Sequence, residues 1–94
     1  YSAAKAGMHG FSMALALEVA SKGVTVNTVA PGYIATDMVM AVREDVRDKI
    51  IQTIPVKRLG KAEEIGSICG WLATEDSGFT TGAEFSCNGG LHMG

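Results

Sequence analysis

The chain has 94 residues, 47% of them hydrophobic and 19% charged, with a formal charge of −2. That length holds one domain at most. No Lys/Arg cluster signals a polyanion surface, and no apolar run approaches the ~20 residues of a membrane span, so neither nucleic acid nor membrane is an expected partner. Cys69 and Cys87 lack metal-ligand spacing and read as small core hydrophobes in a reducing cytoplasm, with no metal site.

The chain opens inside an apparent helix, with no capping residue and no initiator Met before it. It is expected to be the C-terminal part of a longer subunit, or one piece of a cleaved one. Tyr1 and Lys5 stand at i and i+4, one turn apart on one helix face. A phenol titrates near ~10 and exchanges protons poorly at neutral pH. An adjacent ammonium favours the phenolate, which suits a general acid that protonates a carbonyl oxygen during hydride transfer.

The first helix is expected over residues 1–22, with Ala4, Met8, Phe11, Leu15 and Val19 as its apolar stripe and Gly23 as its C-cap. Residues 24–29 are β-branched and bounded by Gly23 and Pro31-Gly32, which predicts a buried strand. A loop over 30–37 follows, and Thr36 or Asp37 caps a helix beginning near Met38. Val39, Val42, Val46, Ile50 and Ile54 make the stripe of that helix, and Arg43, Glu44, Asp45, Arg47, Asp48 and Lys49 its solvated face. Pro55 ends it. A third helix begins at Lys61-Ala62-Glu63-Glu64, whose acids suit its dipole. Ile65, Ile68, Cys69 and Leu72 form its buried face. Gly66 and Gly70 permit close approach, either within the subunit or across an oligomer interface. Residues 83–87 read as a second strand, closed by Asn88-Gly89-Gly90.

Three helices and two short strands in this order predict an α/β fold: the C-terminal portion of a Rossmann-like doubly wound parallel sheet. Two strands do not make an independent sheet, so residues 1–94 are read as a single incomplete domain of marginal stability without a partner. Ligands of such folds bind beyond the C-terminal strand ends, which here means the loop Ala30-Pro31-Gly32-Tyr33-Ile34-Ala35-Thr36. Gly32 lets backbone approach a flat ring, backbone groups near Ile34 suit a carboxamide, and the Thr36 hydroxyl suits an amide or phosphate. The other reading is an ordinary strand-to-helix turn. His9 and His92 draw no catalytic role.

Tyr1-x-x-x-Lys5, the run Val26-Asn27-Thr28-Val29-Ala30-Pro31-Gly32-Tyr33-Ile34-Ala35-Thr36-Asp37-Met38 and the closing Asn88-Gly89-Gly90 together resemble the short-chain dehydrogenase/reductase family. Ile54-Pro55-Val56-Lys57-Arg58-Leu59-Gly60 and the ending Leu91-His92-Met93-Gly94 are most similar to its acetoacetyl-CoA reductases, with the 3-oxoacyl-acyl-carrier-protein reductases as near relatives. The resemblance implies NADPH-dependent reduction of a 3-oxoacyl thioester in the complete subunit. Tyr1 is then the proton donor. Lys5 lowers the pKa of Tyr1 and bonds the nicotinamide ribose. Pro31, Gly32, Ile34 and Thr36 border the nicotinamide. Tyr33 faces the acyl-CoA substrate, and Met38 begins the mobile lid over it. The resemblance also implies a homo-oligomer, formed through the first helix, the Gly66/Gly70 helix and the last strand. The family's Gly-rich dinucleotide loop has no counterpart here, so the 94 residues alone are expected to be inactive. A non-catalytic association fragment is the competing expectation.

Overall fold

The computed structural model of the protein describes residues 2–91. Among them lie four α-helices and two strands: α1 (Ser2–Val19), β1 (Thr28–Pro31), α2 (Asp37–Met40), α3 (Glu44–Thr53), α4 (Ala62–Leu72) and β2 (Glu84–Cys87). Short 3-10 helices follow α1 (Ala20–Lys22) and precede β2 (Glu75–Ser77). The chain divides into two compact units: Tyr1–Val29 with Cys69–Phe85, and Ala30–Ile68 with Ser86–Gly94. β1 and β2 pair in a two-stranded sheet. Thr28 N–H donates to the Ala83 carbonyl at 2.9 Å and Gly32 N–H to the Cys87 carbonyl at 3.0 Å. Register advances in the same sense on both strands, so the sheet is parallel, as the sequence predicts.

In the first unit, of the apolar stripe expected on α1 only Val19 lies on the less exposed side. Met8 is 66% exposed and Phe11 70%, and Leu15 is exposed as well. The less exposed side runs through Lys5, His9, Ser12, Ala16 and Val19. This face is polar at one end and small at the other. Ala16 is buried, and its Cβ lies 3.7 Å from where a Cβ on Gly82 would stand. A larger residue at 16 would hold the helix off that turn.

The first strand starts at Thr28, not Val24. The reason lies in Asn27. Its Oδ1 accepts from Ala83 N–H at 3.1 Å and its Nδ2 donates to the Thr80 carbonyl at 3.0 Å. A side chain thus takes the place of the first ladder rung. Val26 is held in the same way, its N–H donating to Thr81 Oγ1 at 3.1 Å and its carbonyl accepting from Gly82 N–H at 2.7 Å. Trp71 meets Phe85 edge to face, with centroids 6.5 Å apart and ring planes at 74°.

In the second unit the single helix expected from Met38 to Ile54 is two. Thr36 caps α2, accepting from Val39 N–H at 3.4 Å, but Arg43 adopts ψ 141 and breaks the helix. The Arg47 guanidinium fills the break, donating to the Met40 carbonyl at 2.9 Å and the Val42 carbonyl at 3.2 Å. These carbonyls have lost their helical donors. Arg47 is half-buried for this reason and does not belong to a freely solvated face. α3 stops at Thr53, and Ile54 is extended ahead of Pro55, as the residue before a proline prefers.

Two expectations about α4 also change. Its less exposed side is Ile65, Ile68 and Leu72, and Cys69 is exposed, just past the edge of that narrow stripe. Gly66 and Gly70 serve no close packing among the described residues, since a Cβ at either meets nothing within 4 Å. Among the described residues only Ala16 and Ile54 are buried hydrophobics. No helix there is long and apolar enough to cross a membrane.

Ile54 is covered by Gly89, which sits at φ +65 just after β2. A Cβ on Gly89 would lie 2.7 Å from Val56 Cγ2 and 2.8 Å from Ile54 Cγ2. Gly89→Ala combines a left-handed backbone with overpacking and is expected to destabilise the protein by about 2 kcal/mol or more. Thermal unfolding checks this, and an unchanged midpoint refutes it.

Candidate active site

The residues singled out by sequence fall in both units. Tyr1 lies outside the described residues, as does His92. Lys5 belongs to the first unit, on the inward side of α1. Its Nζ is 3.5 Å from Glu84 Oε1 on β2. Glu84 is a partner that the pattern reading missed. A carboxylate in a strand that also carries Phe85 and Cys87 was the available signal.

Pro31, Gly32, Tyr33, Ile34, Thr36 and Met38 follow one another at the C-terminal end of β1, in the second unit. Gly32 is needed there, for a reason other than a flat ligand. A Cβ on it would stand 2.7 Å from Asn88 Cβ and 2.8 Å from Asn88 Cα. The missing side chain lets β1 close against the residue after β2. Ile34 bridges Gly60 in parallel: Ala35 N–H donates to the Gly60 carbonyl and Gly60 N–H to the Tyr33 carbonyl, both at 2.9 Å. The Ile34 carbonyl accepts from Thr36 N–H at 2.7 Å, which leaves one lone pair. Among the described residues the Ile34 N–H donates to no group. The Thr36 oxygen is occupied as the α2 cap, and its O–H remains a donor. One free N–H, one carbonyl lone pair and one hydroxyl fit a carboxamide at this strand end. Tyr33 is 44% exposed and Met38 83%.

Beside this loop the second unit holds a cleft of about 290 Å³. Its apolar wall is Ile34, Ile54 and Val56, and its polar wall includes Tyr33, Arg58 and Glu64. Arg58 grips Glu64 with two parallel bonds, Nη1 to Oε1 at 2.7 Å and Nη2 to Oε2 at 2.9 Å. Glu64 also accepts from Lys61 N–H at 2.9 Å, which closes the start of α4. Arg58 first, and the Lys61 N–H second, hold the Glu64 carboxyl at about 2, down from 4.5.

The chain belongs to the short-chain dehydrogenase/reductase family. Residues 1–92 match the family model described as enoyl-(acyl carrier protein) reductase. All of the chain aligns with 38% of the acetoacetyl-CoA reductase of Cupriavidus necator, at 77% identity. It is 59% identical to nodulation protein G of Azospirillum brasilense, over 98% of this chain and 37% of that protein. It is 50% identical to the 3-oxoacyl-acyl-carrier-protein reductase of Escherichia coli, over 99% and 38%. The chain thus spans well under half the length of these relatives. Enzymes of this family are oxidoreductases that use a nicotinamide cofactor.

The Arg58–Glu64 pair makes stability depend on acid in one defined window. The folded carboxyl titrates below its unfolded value, so the contribution is whole above about 4.5 and is lost as pH falls toward about 2. Both side chains are about half exposed, so the effect is small and weakens with salt. Urea midpoints measured through this window are expected to fall more steeply for the wild type than for Arg58→Ala. Parallel slopes refute the assignment.

Proposed function

We propose that this chain is the C-terminal part of an NADPH-dependent reductase subunit acting on 3-oxoacyl thioesters, with acetoacetyl-CoA as the substrate and 3-hydroxybutyryl-CoA as the product. Such a product feeds polyhydroxybutyrate synthesis in the cytoplasm. The observation that carries the reading is the 77% identity, over every residue of the chain, to the acetoacetyl-CoA reductase of Cupriavidus necator. The 3-oxoacyl-acyl-carrier-protein reductases, at 50% identity, are the second choice. NADPH follows from this subfamily assignment.

When bound, the dihydronicotinamide supplies a hydride to the 3-carbonyl carbon. The residues of this chain do the rest. Tyr1 donates its phenolic proton to the carbonyl oxygen as negative charge develops there. Lys5 holds the phenol ready to ionise and bonds the ribose. Pro31 and Gly32 border the ring, the Ile34 N–H and carbonyl and the Thr36 hydroxyl hold the carboxamide, and Tyr33 and Met38 face the acyl chain. The exposure of Tyr33 and Met38 supports this.

An association role is the second reading. The exposed Met8 and Phe11 on α1, and separately the open Gly66 and Gly70 on α4, are features of the kind that another chain covers. In the active subunit this is a homo-oligomer contact shared with β2. In the 94-residue chain alone it amounts to association without catalysis.

Two measurements test these readings. In the complete subunit, Tyr1→Phe is expected to lower acetoacetyl-CoA reduction by at least ~10³-fold while NADPH affinity changes less than about two-fold. Wild-type turnover in that variant refutes the role of Tyr1. For the 94-residue chain, sedimentation and NADPH titration are expected to give oligomers without nicotinamide affinity. A monomer refutes the association role, and NADPH binding refutes its separation from catalysis.

A further inference from the structure

Lys5 and His9 are one turn apart on α1, on its inward side, and both point at one carboxylate. Glu84 Oε1 is 3.5 Å from Lys5 Nζ and Glu84 Oε2 is 3.7 Å from His9 Nδ1. The Glu84 side chain is 17% exposed, less than Lys5 at 39% or His9 at 31%. His9 Nδ1 is buried and has no hydrogen-bond partner. Buried polar atoms without partners are exceptions in folded proteins, and a carboxylate taken out of water requires a counter-charge.

We propose that Glu84 is the positioning residue for Lys5, its carboxylate fixing the lysine ammonium between β2 and α1 while His9 flanks its other oxygen. The inference rests on the role given to Lys5 above and names what holds that ammonium in place. A lysine is a point charge on a flexible four-carbon stem and does not orient itself. Its ammonium has three donor directions. The role given to Lys5 above calls on two of them, for a phenol and for a ribose hydroxyl. The 3.5 Å from Nζ to Oε1 exceeds the 2.7–2.9 Å typical of a charge-assisted bond. Glu84 therefore restrains the ammonium by charge and leaves its hydrogens available to the site. The carboxylate is carried by β2, just after the point where Ala83 N–H donates to Asn27 Oδ1.

The test uses the complete subunit and four variants: Glu84→Gln, Glu84→Asp, Lys5→Ala and the Lys5→Ala/Glu84→Gln double variant. The readouts are kcat, KM for reduced nicotinamide, and cofactor affinity by fluorescence titration. Glu84→Gln is expected to lower kcat about ten-fold and weaken cofactor binding, because a misplaced group costs rate without loss of the fold. Glu84→Asp, which keeps the charge, is expected to recover most of both. Added to Lys5→Ala, Glu84→Gln is expected to change cofactor affinity less than about two-fold, since coupled residues do not add. If Lys5→Ala is inactive while Glu84→Gln behaves as wild type, this inference fails and the role of Lys5 stands. Losses in cofactor affinity that multiply fully in the double variant, or no recovery in Glu84→Asp, also overturn it. Wild-type turnover in Lys5→Ala overturns the role of Lys5 itself.

Discussion

The parallel pairing of β1 with β2 is the constraint on which the other features rest. Parallel strands are distant in sequence, and here more than 50 residues separate the residues joined by a single rung. Closing that loop costs entropy that grows only slowly with its length, but the cost must be met by few contacts. Side chains help to meet it. Asn27 grips both sides of the turn before β2 and sets the register from the first rung onward. At the other end Gly32 makes room for Asn88. Lys5 faces a carboxylate on β2, and the residues from Pro31 to Met38 leave the end of β1.

Much of this architecture was legible in the sequence. The Gly23 stop, the Thr36 cap, the Pro55 break and the two strands follow from local backbone chemistry, which acts over a few residues. The failures share a different cause. Periodicity marks which helix positions are apolar but not which of them find a partner. On α1 the apolar residues Met8 and Phe11 face outward, while Lys5 and His9 face Glu84 of β2 and Ala16 faces the turn at Gly82. Arg47 looked like one charge among several on a solvated face. Its function depends on a helix break at Arg43 that no propensity signals, because the break and the guanidinium stabilise each other. Gly32 reads in the sequence as a glycine that lets backbone approach a flat ring. Only the fold shows that the approaching group is Asn88.

The candidate site was legible at the level of residue types along the chain. It was not legible at the level of contacts across the fold. The loop after β1 could be read because its hydrogen-bonding groups are close in sequence, including the Ile34 carbonyl that is already half used. Glu84 lies 79 residues from Lys5, and the Arg58–Glu64 pair lies on a turn and a helix that read as unrelated elements. The first pairing is set by topology and the second by how the turn at Arg58 enters α4, and neither follows from residue types along the chain.

The edge-to-face contact of Trp71 with Phe85 has an optical consequence. The chain has one tryptophan, and its indole is 42% exposed while its ring meets an aromatic residue of β2. Its emission therefore comes from one place, the seam between the end of α4 and β2 in the first unit. Loss of that seam moves the indole fully into water and shifts its emission to the red, whatever happens to the loop after β1. The protein carries an intrinsic fluorophore that reports on the strand bearing Glu84, without any label.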